Sequence, residues 1–446
     1  MTGTGSPAVN ISREIDEGAL TRFQVRAIAL CSLVAFLDGL DSQSIAVAAP
    51  IIVETIGATR AALGPIFSAG LLGAMLGALT FGPLGDRFGR KRMLIGCAAL
   101  FGIFTILTAF CSSYPSLLAV RLFAGLGLGG ATPLFIALAS EYAPQRRRAV
   151  VASLIWAAFP LGGLVGSFLN AALLASFGWR SLFLIGGALP LLVALALLAW
   201  LPESIRYMIA TGADPVRIRS VVARVRPGIP AGVRFVADEG QAAGVPVTQL
   251  FAGGVAARTL LLWVPFFAGF GILAIVVVWT PVLLRDHGIS LSAASFALGV
   301  HGIGALIGMS CAGRLLERFG ALAVLVPSFL LGAASTAALG YAAVSAPAME
   351  TVLFLVGISV GTGASGSIAL AALIYPTAMR SSGIGCAMGV GRFGQVLAPL
   401  AAAAAVAAGW TGERLFLLFA VVPALGALAI VALHRRTPVP APRPAL

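Results

Sequence analysis

Charge is scarce in this chain. Of 446 residues only 10% are Asp, Glu, Lys or Arg, against roughly one quarter in an ordinary soluble domain. So few charges cannot cover a globule with a solvated surface, which excludes a soluble fold. Cysteine is nearly absent as well: the five, at 31, 97, 111, 311 and 386, all fall within apolar runs and show no paired spacing. Neither a disulfide framework nor a metal site is expected. The three histidines, His287, His301 and His434, lie in different topological positions and no nucleotide-binding loop occurs. An enzyme constellation and ATP-driven chemistry are therefore not expected, and no cofactor is implied. The first 26 residues are polar and carry acids, so they lack the basic-then-apolar layout of a cleaved signal peptide.

What is abundant is apolar sequence, at 59% of residues. Runs of roughly 20 apolar residues recur, each long enough as a helix to cross about 30 Å of hydrocarbon. Twelve are counted, centred near residues 40, 71, 103, 128, 161, 191, 271, 301, 332, 362, 395 and 424. They are continuous rather than alternating, which excludes a closed β-barrel. The expected fold class is an all-α membrane protein with twelve transmembrane helices in two six-helix bundles, embedded in the lipid bilayer as a monomer.

The net charge of +13 invites a nucleic-acid partner, but the 29 basic residues follow the loops. With the N-terminus inside, 23 of them fall in inner loops and tails, and only Arg60, Arg180, Arg285 and Arg414 in outer loops. That asymmetry is the positive-inside rule, and it predicts both termini in the cytoplasm and no nucleic-acid binding. Arg121 and Arg392 are left over, within apolar runs.

The longest polar interval splits the runs six and six. Expected limits are an N-terminal tail 1–26, a first bundle 27–201, a linker 202–258, a second bundle 259–433 and a tail 434–446. The linker is read as carrying short amphipathic helices, with VTQLFAGGVAARTLLLW as an interfacial lead into the seventh run. The two halves repeat one another. GWRSLFLIGGALPLLVALAL from Gly178 matches GWTGERLFLLFAVVPALGALAI from Gly409, and GPLGDRFGRKR from Gly82 is echoed by GRLLERFG from Gly313. Both offsets are near 231 residues, as expected of homologous halves around a central cavity.

Two strings carry a family resemblance. Gly82, Leu84, Asp86, Arg87, Gly89, Arg90 and Lys91 spell G-x-L-x-D-R-x-G-R-K, and Arg121, Gly125, Gly127 and Gly129 spell R-x-x-x-G-x-G-x-G. With twelve spans, the whole chain resembles the major facilitator superfamily, which implies alternating access between two pseudo-symmetric bundles. Asp86, ending the second helix, can dock on the positive N-terminus of the eleventh near Ser381 and Gly383 when the outer side is open. Arg90 and Glu141 would complete that cytoplasmic gate, with Glu317 and Arg318 as the second copy. The alternative is a plain hairpin whose positive charges set topology.

Two carboxylates interrupt the first run, at Asp38 and Asp41. With the helix entering near Ala27, they lie about 17 and 21 Å above the inner boundary. An acid at such depth costs roughly 2.5–3.5 kcal/mol on insertion scales and must find partners, water or protons. A spacing of three puts both on one face. Arg121, descending on the fourth helix, comes level with Asp41, and Arg392 and His301 reach similar depth from the eleventh and eighth helices. A carboxylate whose charge depends on whether Arg121 is otherwise engaged can carry a proton, so Asp38 and Asp41 are the candidates for proton coupling. The bland alternative, a clip between helices, gains little, because buried charge pairs stabilise poorly compared with apolar packing. Arg121, His301, Arg392, Gln395 and Trp279 are the candidate substrate-binding residues.

D-G-x-D at Asp38, Gly39 and Asp41, the segment YPTAMRSSGIGCAMGVGRFGQVLAP and LPESIRYMIATG after the sixth run are similar to the aromatic acid:H+ symporter family. The resemblance implies proton-coupled import of aromatic carboxylates such as benzoate or hydroxybenzoates across a bacterial inner membrane, with the two aspartates implicated. The segment ILAIVVVWTP departs from that family's usual aromatic-W-L-P, and His301 is not expected from it. An exporter of drugs or metabolites, an importer of non-aromatic carboxylates and a non-transporting receptor remain the alternatives.

Overall fold

The computed structural model describes residues 8–229, 233–236, 247–251, 256–342, 345–375 and 379–436. Residues 1–7, 252–255 and 437–446, which fall in the expected tails and in the lead into the seventh run, lie outside them. Twelve helices long and apolar enough to cross a membrane are present among the described residues. We number them α1 (Arg22–Thr55), α2 (Leu63–Phe88), α3 (Arg90–Thr108), α4 (Tyr114–Glu141), α5 (Gln145–Phe177), α6 (Trp179–Trp200), α7 (Ala256–Asp286), α8 (Leu291–Phe319), α9 (Ala321–Ala342), α10 (Ala346–Ile374), α11 (Arg380–Ala407) and α12 (Gly412–Arg436).

Helix α1 begins at Arg22, one turn before the expected membrane entry near Ala27, because Thr21 and Gln24 form a capping box there. The Gln24 side-chain amide also donates to the Tyr142 carbonyl at 2.9 Å, tying the start of α1 to the end of α4. Between α2 and α3 the chain turns on Gly89, whose φ is 102°. Only glycine holds that backbone without strain. A β-carbon there would also lie 2.7 Å from Glu203 Oε2.

Helices α2 and α4, α1 and α5, and α3 and α6 pack within the first half, and α8 and α10, α7 and α11, and α9 and α12 repeat the arrangement in the second. Adding six to each helix number converts one set into the other, as a pseudo-two-fold requires. The glycine string on α4 has a direct reading in this packing. A β-carbon at Gly129 would lie 2.0 Å from the Ala74 carbonyl oxygen of α2. The two backbones touch, and dispersion over that close approach holds helices together where lipid is as apolar as leucine.

The halves meet through α5 against α8, through its symmetry mate α2 against α11, and through α1 against α7. One apolar cluster, including Ile52, Phe67 and Phe183 of the first half and Ile272, Trp279 and Phe416 of the second, is shared at the face away from the termini. On the face bearing the termini the apolar clusters are separate, one around Leu94, Leu138 and Met208 and the other around Leu262, Phe329 and Leu433. Hydrogen bonds between halves follow the same division. Ser68 Oγ donates to the Val396 carbonyl at 2.8 Å, Ser292 Oγ to Ala171 at 2.7 Å and Ser295 Oγ to Ser167 at 2.7 Å, all toward the far face. The molecule is thus closed on the far face and parted on the termini face.

Two ion pairs cross the closed face, Arg60 with Asp286 and Arg285 with Glu54. Glu54 and Arg285 are 231 residues apart, the offset of the internal repeat. Equivalent positions approach one another on a two-fold axis, so a favourable contact there requires opposite charges on them.

On the termini face, a strand at Ala8–Asn10 pairs in parallel with Arg234–Val236 of the linker. Helices Ile11–Glu17 and Pro215–Val225 lie with them against the first half. Asp16 accepts from Arg148 Nη2 at 3.0 Å and from the Gln145 backbone at 2.7 Å, and Ile11 is 1% exposed. An all-α reading did not anticipate the strand pair, since three residues are too few to carry an alternation signal.

Gly129→Ala should lower the melting temperature of purified protein by the equivalent of about 1–3 kcal/mol, the usual effect of overpacking. Gly96→Ala, on α3 with nothing within 4 Å of the added carbon, should leave it unchanged or raise it. Equal melting of the two variants would contradict the close approach.

Candidate functional site

The interior of α1 is where charge enters hydrocarbon. Asp41 Oδ2 accepts from Arg121 Nη2 of α4 at 2.7 Å, and the two residues are 3% and 4% exposed. Thr105 Oγ of α3 lies 3.4 Å from the other carboxylate oxygen, and the Arg121 guanidinium sits 5.9 Å from the centre of the Phe183 ring. The second guanidinium nitrogen, Nη1, is buried with no partner among the described residues. A charge pair with one arm unmatched is poised to take a further acceptor.

Asp38 behaves differently. One turn earlier on α1, it is half-buried, and no hydrogen bond or ion pair within 4.0 Å reaches its carboxylate among the described residues. The two acids, expected on one face, differ in their contacts: Asp41 pairs with α4 and approaches α3 inside its own half, while Asp38 is without a partner among the described residues.

Arg392 and Gln395 are both half-buried on α11. The rings of Phe266 and Phe270 stack 6.5 Å apart on α7, and a β-carbon at Gly391 would lie 2.8 Å from Phe270. His301 is 3% exposed on α8 with Nε2 unpartnered, so it is enclosed rather than facing the parted side. Trp279 is 1% exposed within the apolar layer that closes the far face. In this state it acts as part of a plug and lines no open wall.

The signature after α2 forms a compact network. Asp86 Oδ1 accepts from Arg90 Nη2 at 2.9 Å, and Arg90 Nη1 donates to Glu141. Asp86 is 68% exposed, and among the described residues it makes no hydrogen bond to α11. Docking on α11 was expected for the state with the outer side open; in the state described it is the face away from the termini that is closed. Gly82 lies 3.7 Å from Pro133 by its would-be β-carbon, and Arg87 lies over the Phe88 ring. Glu317 and Arg318, the second copy, are exposed, with Arg318 over Phe319.

Sequence reasoning passed over Glu203. It is 8% exposed, accepts from the Lys91 backbone at 3.0 Å and the Ser204 backbone at 2.9 Å, and so caps the start of α3. Its own carbonyl accepts from Tyr142 Oη at 2.7 Å. Burial, with Glu141 and Glu203 alongside, pushes the Tyr142 phenol well above its ordinary value, which keeps it a donor at working pH. The signal was available in LPES following α6, an acid next to proline at the end of an apolar run. Thr105 offered none, since a threonine in an apolar helix is ordinary.

Residues 31–290 and 261–446 match the Major Facilitator Superfamily. The chain is 34% identical to the 4-hydroxybenzoate transporter PcaK of Pseudomonas putida over 95% of both proteins. It is 33% identical to the gallate transporter of Pseudomonas putida, again over 95% of both. Among solved structures it is similar to a D-xylose-proton symporter, with a TM-score of 0.73 at 18% identity, covering 94% of this chain and 98% of that one.

Removing one member of the buried pair leaves the other uncompensated, so Arg121→Met should destabilise the purified protein by about 3–5 kcal/mol. Adding Asp41→Asn to it should recover most of that loss. A double variant as unstable as the single, by thermal melting, would contradict the pairing.

Proposed function

The chain belongs to the major facilitator superfamily, and on that footing we propose that it is a proton-coupled symporter importing small aromatic carboxylates, such as benzoate or hydroxybenzoates. The observation that carries this reading is the charge set at mid-membrane: Asp41 paired with Arg121, with Asp38 on the same helix and Arg392 on α11 completing the set. Two acids and two arginines cancel. An anionic substrate entering this set leaves one negative charge in low dielectric, which is costly to move through hydrocarbon. Uptake of one proton restores neutrality, so substrate and proton travel together, one for one.

The steps follow from the geometry. A carboxylate arriving between the halves is drawn to Arg392 and to the unmatched arm of Arg121. As Arg121 turns toward it, Asp41 loses its counter-charge and binds the proton; Asp38, the less enclosed acid, exchanges protons with the parted side. The neutral, loaded set then permits the halves to rock. The names of the relatives support aromatic carboxylates as the substrate class. No cofactor takes part and no bond is made or broken, so this is a transporter rather than an enzyme, driven by the proton gradient.

Positive charge on the termini-side loops assigns that face to the cytoplasm. The state described is then inward-facing, with the gate residues Asp86, Arg90 and Glu141 released from α11. We assign residues 27–201 and 259–433 to the two bundles, 202–258 to the cytoplasmic linker, and 1–26 and 434–446 to cytoplasmic tails. The protein works as a monomer in the bacterial inner membrane.

In proteoliposomes with the outside made acidic, the wild-type protein should accumulate 4-hydroxybenzoate, and Asp41→Asn should abolish the accumulation while leaving substrate exchange without a gradient. Undiminished accumulation by Asp41→Asn would remove the proton role assigned to that residue. A matching loss on dissipating the gradient is expected for the wild type.

A further inference from the structure

Polar atoms inside folded proteins are nearly always paired. Gln43 Oε1 and His301 Nε2 have no partner among the described residues, although the residues are only 7% and 3% exposed. They come from different halves, Gln43 from α1 and His301 from α8. Leu298, one turn before His301, and Val47, one turn beyond Gln43, belong to one small apolar cluster between the halves. On α5, a β-carbon at Gly163 would lie 3.4 Å from Gln43 Nε2, and one at Gly302, the neighbour of His301, would lie 3.3 Å from Leu164 Cβ. Successive residues of α5 therefore touch Gln43 and the turn that carries His301.

Neither group belongs to the charge set. Asp41 and Arg121 are engaged on the α3 and α4 side of α1, whereas Gln43 shares the α5 side with Gly39, whose would-be β-carbon lies 1.9 Å from the Phe159 carbonyl. An unpaired buried polar group is costly, and a purely structural role leaves that cost without return. An amide oxygen can only accept, while an imidazole nitrogen donates or accepts according to its tautomer. One acceptor and one adaptable partner, carried by elements of the two halves that both pack on α5, match a hydroxyl, which donates once and accepts as well.

We propose that Gln43 and His301 form the subsite that reads a ring hydroxyl on the transported aromatic carboxylate. The subsite lies beside the apolar cluster of Val47, Leu291 and Leu298 and opens when α5 and α8 separate. Closure of the halves around a hydroxylated substrate pairs both orphaned atoms; release leaves them stranded. Discrimination between hydroxylated and plain rings resides here, while the carboxylate is held by the arginines. This inference rests on the aromatic-carboxylate reading.

The test is gradient-driven uptake of 4-hydroxybenzoate and benzoate by proteoliposomes holding wild-type protein, Gln43→Leu or His301→Phe, with thermal melting of each to confirm folding. The wild type should favour the hydroxylated acid in kcat/KM by tenfold or more, the scale expected when a buried polar partner is lost from the complex. In each variant that ratio should fall about tenfold, with benzoate uptake still measurable. A ratio within twofold of the wild type in both variants, or equal loss for both acids, overturns the subsite. Wild-type protein moving both acids without discrimination also overturns it while leaving the transport reading intact, whereas wild-type protein moving neither overturns the transport reading itself.

Discussion

A carboxylate and a guanidinium buried against one another at mid-membrane set the terms for the rest of this molecule. Asp41 and Arg121 lie 2.7 Å apart and almost fully buried, and the surrounding helices are arranged so that neither charge meets hydrocarbon alone. Such a pair is a poor stabiliser compared with apolar packing, because desolvation consumes most of the Coulombic gain. Its value is that it has a second arrangement: Arg121 can hold another anion once Asp41 is neutral. Thr105 and Phe183 hold the two partners in place without saturating either.

The helix architecture makes that second arrangement matter. Two homologous halves give two closures, one at each face, built from symmetry-related helix pairs. In the state described, the far-face closure is made by α5 on α8, by α2 on α11, by a shared apolar layer and by the paired charges Glu54 and Arg285 on the pseudo-axis. The last contact is exposed and worth little alone. Its effect lies in favouring one closure over the other, a balance in which a kilocalorie changes populations several-fold. At the opposite face the same logic applies to Asp86, Arg90 and Glu141, now bonded within the first half.

The twelve spans, their division six and six and the pairing of Asp41 with Arg121 were legible in the sequence because each follows from a one-dimensional quantity: run length, repeat offset and depth along a helix. Direction around a helix was not. Asp38 and Asp41 share a spacing that places them on one side of α1, yet a rotation of about 60° between them is enough to give one a partner on α4 and leave the other without one among the described residues. Gln43 was overlooked for a related reason, since a glutamine in a membrane helix has meaning only once its neighbours on α5 and α8 are known. The strand at Ala8–Asn10 and the cap supplied by Glu203 depend on contacts across more than a hundred residues, which no local pattern records. Trp279 was read as a possible ring partner from chemistry alone, and its place in the closing layer depends on the state of the halves.

The central claim is that binding an organic anion makes this protein take up a proton. It is tested most directly by adding 4-hydroxybenzoate to purified protein in weakly buffered detergent solution and following the pH with an indicator dye. The account predicts uptake of close to one proton for each substrate bound by the wild type and none by Asp41→Asn. Substrate binding to the wild type with no change in pH would contradict it.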